Sequence, residues 1–209
     1  MESFNTLSNE KRAYELKERA RRQRETRRRI VEATVALHAE RGPAATTVAE
    51  IARRAGVSRL TVYNHFPSDG ELFAACQSEF LTRHPVPDLA AALALDDPAK
   101  RVRETLVALY RSYRERESMT ANVLRDRTSL PALDELLART VDRHQTELAQ
   151  ALAAPFAART RNRNHVRAAI ALALAFPTWQ RLTREGLGDS AAARLMTELV
   201  ATAAGTRER

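Results

Sequence analysis

Two short capped helices separated by a single glycine constrain this chain more than anything else in its sequence. Thr47 and Glu50 stand at capping-box spacing, so the Thr47 hydroxyl can accept from one orphan amide while Glu50 reaches back to another. Val48, Ile51 and Ala52 follow at helical spacing, predicting a helix to about Arg54. Gly56 then supplies the left-handed backbone of a tight turn, and Ser58 can cap a second short helix through Phe66, stopped by Pro67. Ile51, Ala52, Val57 and Val62 point inward in this reading, and small Ala52 and Ala55 permit close approach. This is the spacing of a helix-turn-helix. Its second helix exposes Arg59, Leu60, Thr61, Tyr63, Asn64 and His65. Arg and Asn can hydrogen-bond base edges, Thr and Leu can meet a thymine methyl, and Tyr and His can reach phosphate oxygens. Plainer roles compete with these: Tyr63 and Phe66 also suit a core, and His65 a solvated surface.

The flanks read as helices too. Ile30, Ala33, Thr34 and Leu37 recur at helical spacing between Arg27 and Arg41, and Gly42 with Pro43 ends the pattern. Ser68 with Glu71 makes a second capping box, ahead of Leu72, Phe73, Cys76 and Phe80 on a helix to about Arg83. Pro85 and Pro87 break the chain. Beyond them Asp97-Pro98 opens a helix to about Glu117, and further helices are predicted at about 119 to 127, 130 to 154, 162 to 185 and 189 to 204. Pro177 should kink or interrupt the fourth of these five. Residues 1 to 9 read as polar and disordered. Residues 10 to 29 contain no Gly or Pro and carry Glu15/Arg19, Glu18/Arg22 and Glu25/Arg29 as helical pairs, but no apolar stripe. That segment is either a solvated extension or an arm that orders against DNA phosphates.

With Ala and Leu dominant, aromatics at 5% and strand-forming runs missing, the expected fold class is all-α. Net charge is +8, and residues 1 to 66 hold 14 basic against 8 acidic side chains, while the remaining 143 hold 20 against 18. A basic front joined to a nearly neutral back suits a chain whose front touches a polyanion. Arg outnumbers Lys heavily, which fits phosphate recognition and equally a GC-rich genome. No apolar run approaches a membrane span, no secretory signal is expected, and the lone Cys76 fits a reducing cytoplasm.

The segments RIVEATVALHAERG (29 to 42), TTVAEIARRAGVS (46 to 58) and TVYNHFP (61 to 67), followed by ELF (71 to 73), resemble the N-terminal domain of TetR-family transcriptional regulators over about residues 28 to 80. The resemblance implies an all-α homodimer, with three N-terminal helices on DNA and a divergent helical bundle holding an effector pocket and a dimer interface. It places Arg59, Leu60, Thr61, Tyr63, Asn64 and His65 on the recognition helix, and Thr47 beside a phosphate. Two positions depart from the family's pattern. Leu60 stands where a small residue is usual, and Asp69, followed by Gly70, where a phosphate-binding Lys is frequent. The basic segment 11 to 29 is expected to compensate for the second. The implied division is a basic extension over 1 to 27, a helix-turn-helix domain over 28 to 83 and a regulatory and dimerisation domain over 84 to 209.

Beyond residue 85 no catalytic signature, metal-ligand spacing or phosphate-cradling loop occurs, so no enzyme, cofactor or metal is expected. Candidates to line an effector pocket are Tyr110, Tyr113, Met119, Leu124, His144, Phe176 and Trp179, each also a plain core residue. Candidates for a dimer interface are Val166, Ile170, Ala173 and Leu174 with Leu195 and Leu199, unless they pack within one chain. The expected function is a ligand-responsive repressor binding a palindromic duplex operator as a homodimer. The alternatives are an activator or effector-independent regulator of the same fold, and a non-specific architectural DNA-binding protein.

Overall fold

The computed structural model describes residues 3–156 and 162–205, and among these there is no β-strand. The first helix, α1 (Ser3–Arg41), is one continuous rod of 39 residues, so the chain is helical from Ser3 rather than from residue 10 as the disordered-start expectation had it. Residues 14 to 29 bury no apolar side, with Tyr14 and Leu16 exposed, and are held by neighbouring charges instead. Glu18 pairs with Arg21 at 2.6 Å and Arg22 at 3.3 Å, and Glu25 with Arg28 at 2.7 Å. Of the three pairs expected, only Glu18 with Arg22 has this geometry.

From Ile30 onward α1 acquires an apolar side. Ile30, Val31, Ala33 and Leu37 pack with Ile51, Ala52 and Ala55 of α2 (Val48–Ala55), Val62 of α3 (Arg59–His65), Phe66, and Leu72 of α4 (Asp69–Arg83) in one apolar cluster. A second cluster is built by α6 (Pro98–Glu115), α9 (Arg143–Ala153), α10 (Arg163–Leu174), α11 (Phe176–Arg184) and α12 (Asp189–Ala203). Short α5 (Ala90–Leu93) leans on α6, while α7 (Glu117–Asp126) and α8 (Pro131–Leu137) lie between the clusters. A π-helical turn at Ala138–Asp142 joins α8 to α9 where a uniform helix was expected.

Pro177 interrupts its helix as anticipated. The chain turns extended at Ala175 (φ −71°, ψ 127°) and restarts as α11. A proline at 177 cannot donate to the carbonyl of Ala173, and the break also strips Leu174 of its helical donor. Two tyrosines of α6 take over: Tyr110 Oη donates to Ala173 O at 2.8 Å and Tyr113 Oη to Leu174 O at 2.6 Å.

The two clusters meet at a polar seam. Asn122 Nδ2 donates to the carbonyls of His38 and Ala39 at 3.0 and 2.9 Å, and Arg125 Nη2 to that of Arg41 at 2.9 Å. Side chains of α7 thus cap the last turn of α1, where the His38 carbonyl also accepts the Gly42 amide at 3.0 Å. Asp126, buried, accepts the Ala44 amide at 3.0 Å. Gly42 sits at φ +98°, and a Cβ there would lie 2.2 Å from Arg125 Nη2 and 2.3 Å from Asp126 Oδ2. No larger residue fits without moving the seam.

Candidate nucleic-acid interface

Local chemistry fixes the two short helices. Thr47 Oγ1 accepts the Glu50 amide at 3.2 Å and Glu50 Oε2 accepts the Thr47 amide at 3.0 Å, closing the expected capping box. Hydrogen bonds from the Thr47 backbone and hydroxyl, with Arg41 nearby, hold the Glu50 carboxyl below the ordinary range. Gly56 takes φ +66°, and the Val57 amide reaches back to Ala52 O at 3.0 Å, ending α2 with a Schellman-type turn. Ser58 Oγ accepts the Thr61 amide at 3.0 Å and starts α3. At α4 only half of the expected box forms: Ser68 Oγ accepts the Glu71 amide at 3.3 Å.

With Val62 and Phe66 anchored in the core, the rest of α3 turns outward. Leu60 is 68% exposed and Tyr63 54%, and Arg59 and Asn64 are exposed beside them. Thr61 and His65, one turn apart, are half-buried along one flank. The plainer role for Phe66 holds, and the one for Tyr63 does not: Phe66 is core, with the Arg27 guanidinium 4.5 Å from its ring centre. Thr47 is exposed at the head of α2, its hydroxyl already bonded to Glu50. Asp69 is exposed at the first position of α4, where a negative charge complements the helix dipole.

The other candidates divide. Tyr110, Tyr113, Phe176 and Trp179 come together, with ring centroids 5.4 to 6.2 Å apart around Tyr113 and between Phe176 and Trp179. Their polar atoms are spent inside the fold, since Trp179 Nε1 donates to Asp189, itself held by Arg114, and both hydroxyls cap α10. Met119 is buried in α7 and Leu124 packs on the second cluster, whereas His144 is exposed on α9, apart from the aromatic group.

For the dimer interface the expectation needs correction. Val166, Ile170, Ala173 and Leu174 are at most 1% exposed within a single chain, because α10 turns that side into its own core. They have no surface to offer a partner. Leu195 and Leu199, one turn apart on α12, are exposed, and so is Leu172 on the adjacent α10. Helical spacing identifies an apolar side of α10 without saying which helix covers it, so the missed Leu172 carried no separate signal.

Sequence reasoning missed Asn122 and Asp126, and weighed Arg125 only as solvated surface or as a contact to an acidic ligand, whereas it bonds Arg41 O and Asp126. Their i, i+3, i+4 spacing on α7 is a usable signal, but a solvated face has the same pattern. His38, buried beneath them, has its imidazole pushed down to about 4 by burial, against a smaller opposing effect of Asp126. Its Nδ1 lies 3.5 Å from Sγ of Cys76, whose thiol burial pushes up to about 12.

This geometry, a rigid outward-facing helix held by a capped neighbour and a glycine turn, is that of a helix-turn-helix, the class of motif that presents a helix to DNA. Comparison narrows the class. Residues 30–76 match the profile of the bacterial regulatory proteins of the tetR family. A TetR-like transcriptional regulator from Rhodococcus sp. RHA1 superposes with a TM-score of 0.61 at 18% identity, over 87% of this chain and 97% of that one. A TetR transcription regulator from Haloarcula marismortui ATCC 43049 does so with a TM-score of 0.53 at 18% identity, over 87% and 93%. No curated protein matches the chain. Residues 30–76 thus match the tetR-family profile, and the chain as a whole shares the all-α fold of these TetR-like regulators. No helix among the described residues is long and apolar enough to cross a membrane.

Proposed function

We propose that the protein is a sequence-specific, ligand-responsive repressor in the cytoplasm that binds an inverted-repeat operator as a homodimer. Residues 28 to 83 serve as its reading domain, residues 1 to 27 as a basic extension and residues 84 to 209 as its regulatory and dimerisation domain. The observation that carries the reading is the contiguous outward strip of Arg59, Leu60, Tyr63 and Asn64 on a helix whose back is locked by Val62 and Phe66. Thr61 and His65 flank that strip, and Thr47 stands at the phosphate end of α2. Leu60 brings an apolar group suited to a thymine methyl.

Dimerisation is supported by the exposed leucines of α10 and α12, which a second copy related by a two-fold axis would cover. Two-fold symmetry places two copies of α3 about one helical turn of DNA apart, or slightly more. Ligand response has support in an open groove of about 470 Å³ between α9 and α10, lined by Gln145, Thr146, Asn164 and Arg167 and starting at Asp142 in the π turn. That turn is tied to the reading domain by Gln77 Nε2, which donates to Thr140 Oγ1 at 3.1 Å. A ligand that prefers a dimer with wrongly spaced recognition helices lowers operator affinity by that preference.

The test is selection of random duplexes by the purified protein at near-physiological salt, with the bound pool sequenced. An enriched inverted repeat is expected. Binding without an enriched motif would overturn the operator reading in favour of a non-specific, architectural role.

A further inference from the structure

A second groove, of about 590 Å³, lies between the N-terminal half of α1 and the recognition helix. Arg19, Arg22, Gln23 and Thr26 of α1 form one wall, and Thr61 and His65 of α3 stand on the other. Resting on the reading of α3 as the recognition helix, we propose that this groove seats the sugar-phosphate backbone bordering the DNA groove that α3 enters. Arg19 and Arg22 contact phosphates there from the side opposite Thr61 and His65.

Charge and its pairing argue for this occupant. Residues 12 to 29 hold nine basic and three acidic side chains, which equals the whole positive excess of the first 66 residues. Glu18 is neutralised inside the helix by Arg21 and Arg22, while Arg19 has no acidic partner among the described residues. Arg22 spends one edge of its guanidinium on Glu18 and is 77% exposed, which leaves N–H groups for a phosphate oxygen. Glu15 and Glu18 also line the groove; Glu18 is paired as above, while Glu15 has no basic partner among the described residues and opposes an anion there.

Shape argues the same way. Thr61 and His65 mark the border between the outward strip of α3 and buried Val62, which is where a strand edging a groove runs once α3 lies within it. From Arg12 to Arg27 the rod is about 22 Å long at 1.5 Å per residue, enough to reach more than one phosphate of a strand. Because α1 is continuous into the core at Ile30, the arm is already aimed before DNA arrives, and the ordering cost of a flexible basic tail is avoided. At α4, by contrast, Asp69 brings an acid to the same domain.

The experiment compares the full-length protein with R19Q/R22Q, E15Q and N64A, each checked for unchanged helicity, on the duplex enriched by selection and on a random-sequence duplex. For R19Q/R22Q the slope of log affinity against log salt should become shallower by about 3.6 for the bound dimer, which loses two contacts from each copy at about 0.9 per phosphate contact, equally on both duplexes. E15Q should bind both duplexes more tightly. N64A should lose preference for the enriched duplex and keep its slope. An unchanged slope in R19Q/R22Q, or weakening confined to the enriched duplex, would overturn the phosphate seat. Absence of any sequence preference in the unaltered protein would overturn the recognition reading alone, and the random duplex would still decide the arm.

Discussion

The helix-turn-helix region and the bundle behind it are stabilised at different ranges along the chain. In the first, the bonds that start and stop α2 and α3 join residues within a few positions of each other: Thr47 with Glu50, Val57 with Ala52, Ser58 with Thr61. In the second, the critical bonds span some sixty residues, from Tyr110 to Ala173 and from Tyr113 to Leu174. Local encoding gives two short helices a defined geometry that does not depend on what the rest of the chain becomes. The bundle instead contains a break at Pro177 that only a distant helix can satisfy, so its geometry exists only once it is assembled.

The seam between the regions offers the hardest test of that contrast. Replacing Gly42 by Ala would strain a backbone at φ +98° and drive a methyl into Arg125 and Asp126. A loss on the order of 3 kcal/mol is expected in chemical denaturation, felt by both regions. Loss confined to α2 and α3, read by amide exchange, would show the seam to be looser than described.

Next in size is a pH effect at the same place. The imidazole of His38 is pushed down to about 4, so the unfolded chain binds a proton there that the folded chain refuses. Stability from this group is complete above its ordinary value near 6.5 and is lost as pH falls toward 4, by roughly 3 kcal/mol. His38→Gln should flatten the stability profile between those limits. A profile as steep as the parent's would assign the slope to other groups.

The smallest effects separate the two regions most sharply. Tyr113→Phe leaves the Leu174 carbonyl buried without its donor and should cost roughly 1–3 kcal/mol, registered by Trp179, the chain's single tryptophan. Ser58→Ala removes one cap and should cost about 1 kcal/mol, with faster exchange in α3 and an unchanged Trp179 signal. If Tyr113→Phe loosened α3 as much as the bundle, the distinction of range would fail.

The same distinction explains what the sequence made legible. Capping residues, the Gly56 turn and the Pro177 break are local signals, and each appears where its spacing placed it. The continuity of α1 was less legible, because hydrophobic periodicity reports burial and residues 14 to 29 bury little. Val166, Ile170, Ala173 and Leu174 were legible as one apolar side but not as core against interface, since both partners would be helices. The roles of Asn122, Arg125 and Asp126 depend on α1 ending beside them, which no spacing within α7 encodes.

Capping of α1 by α7 has a mechanical consequence. Hydrogen bonds to carbonyls weaken steeply once their angle and distance drift, and three of them, from Asn122 twice and Arg125 once, close on the same last turn. A small rotation of α1 against α7 therefore releases them nearly together instead of stretching them one by one. The joint therefore holds over a narrow range of angles, and on separation the Ala39 and Arg41 carbonyls become ready acceptors for water while that of His38 keeps the Gly42 amide.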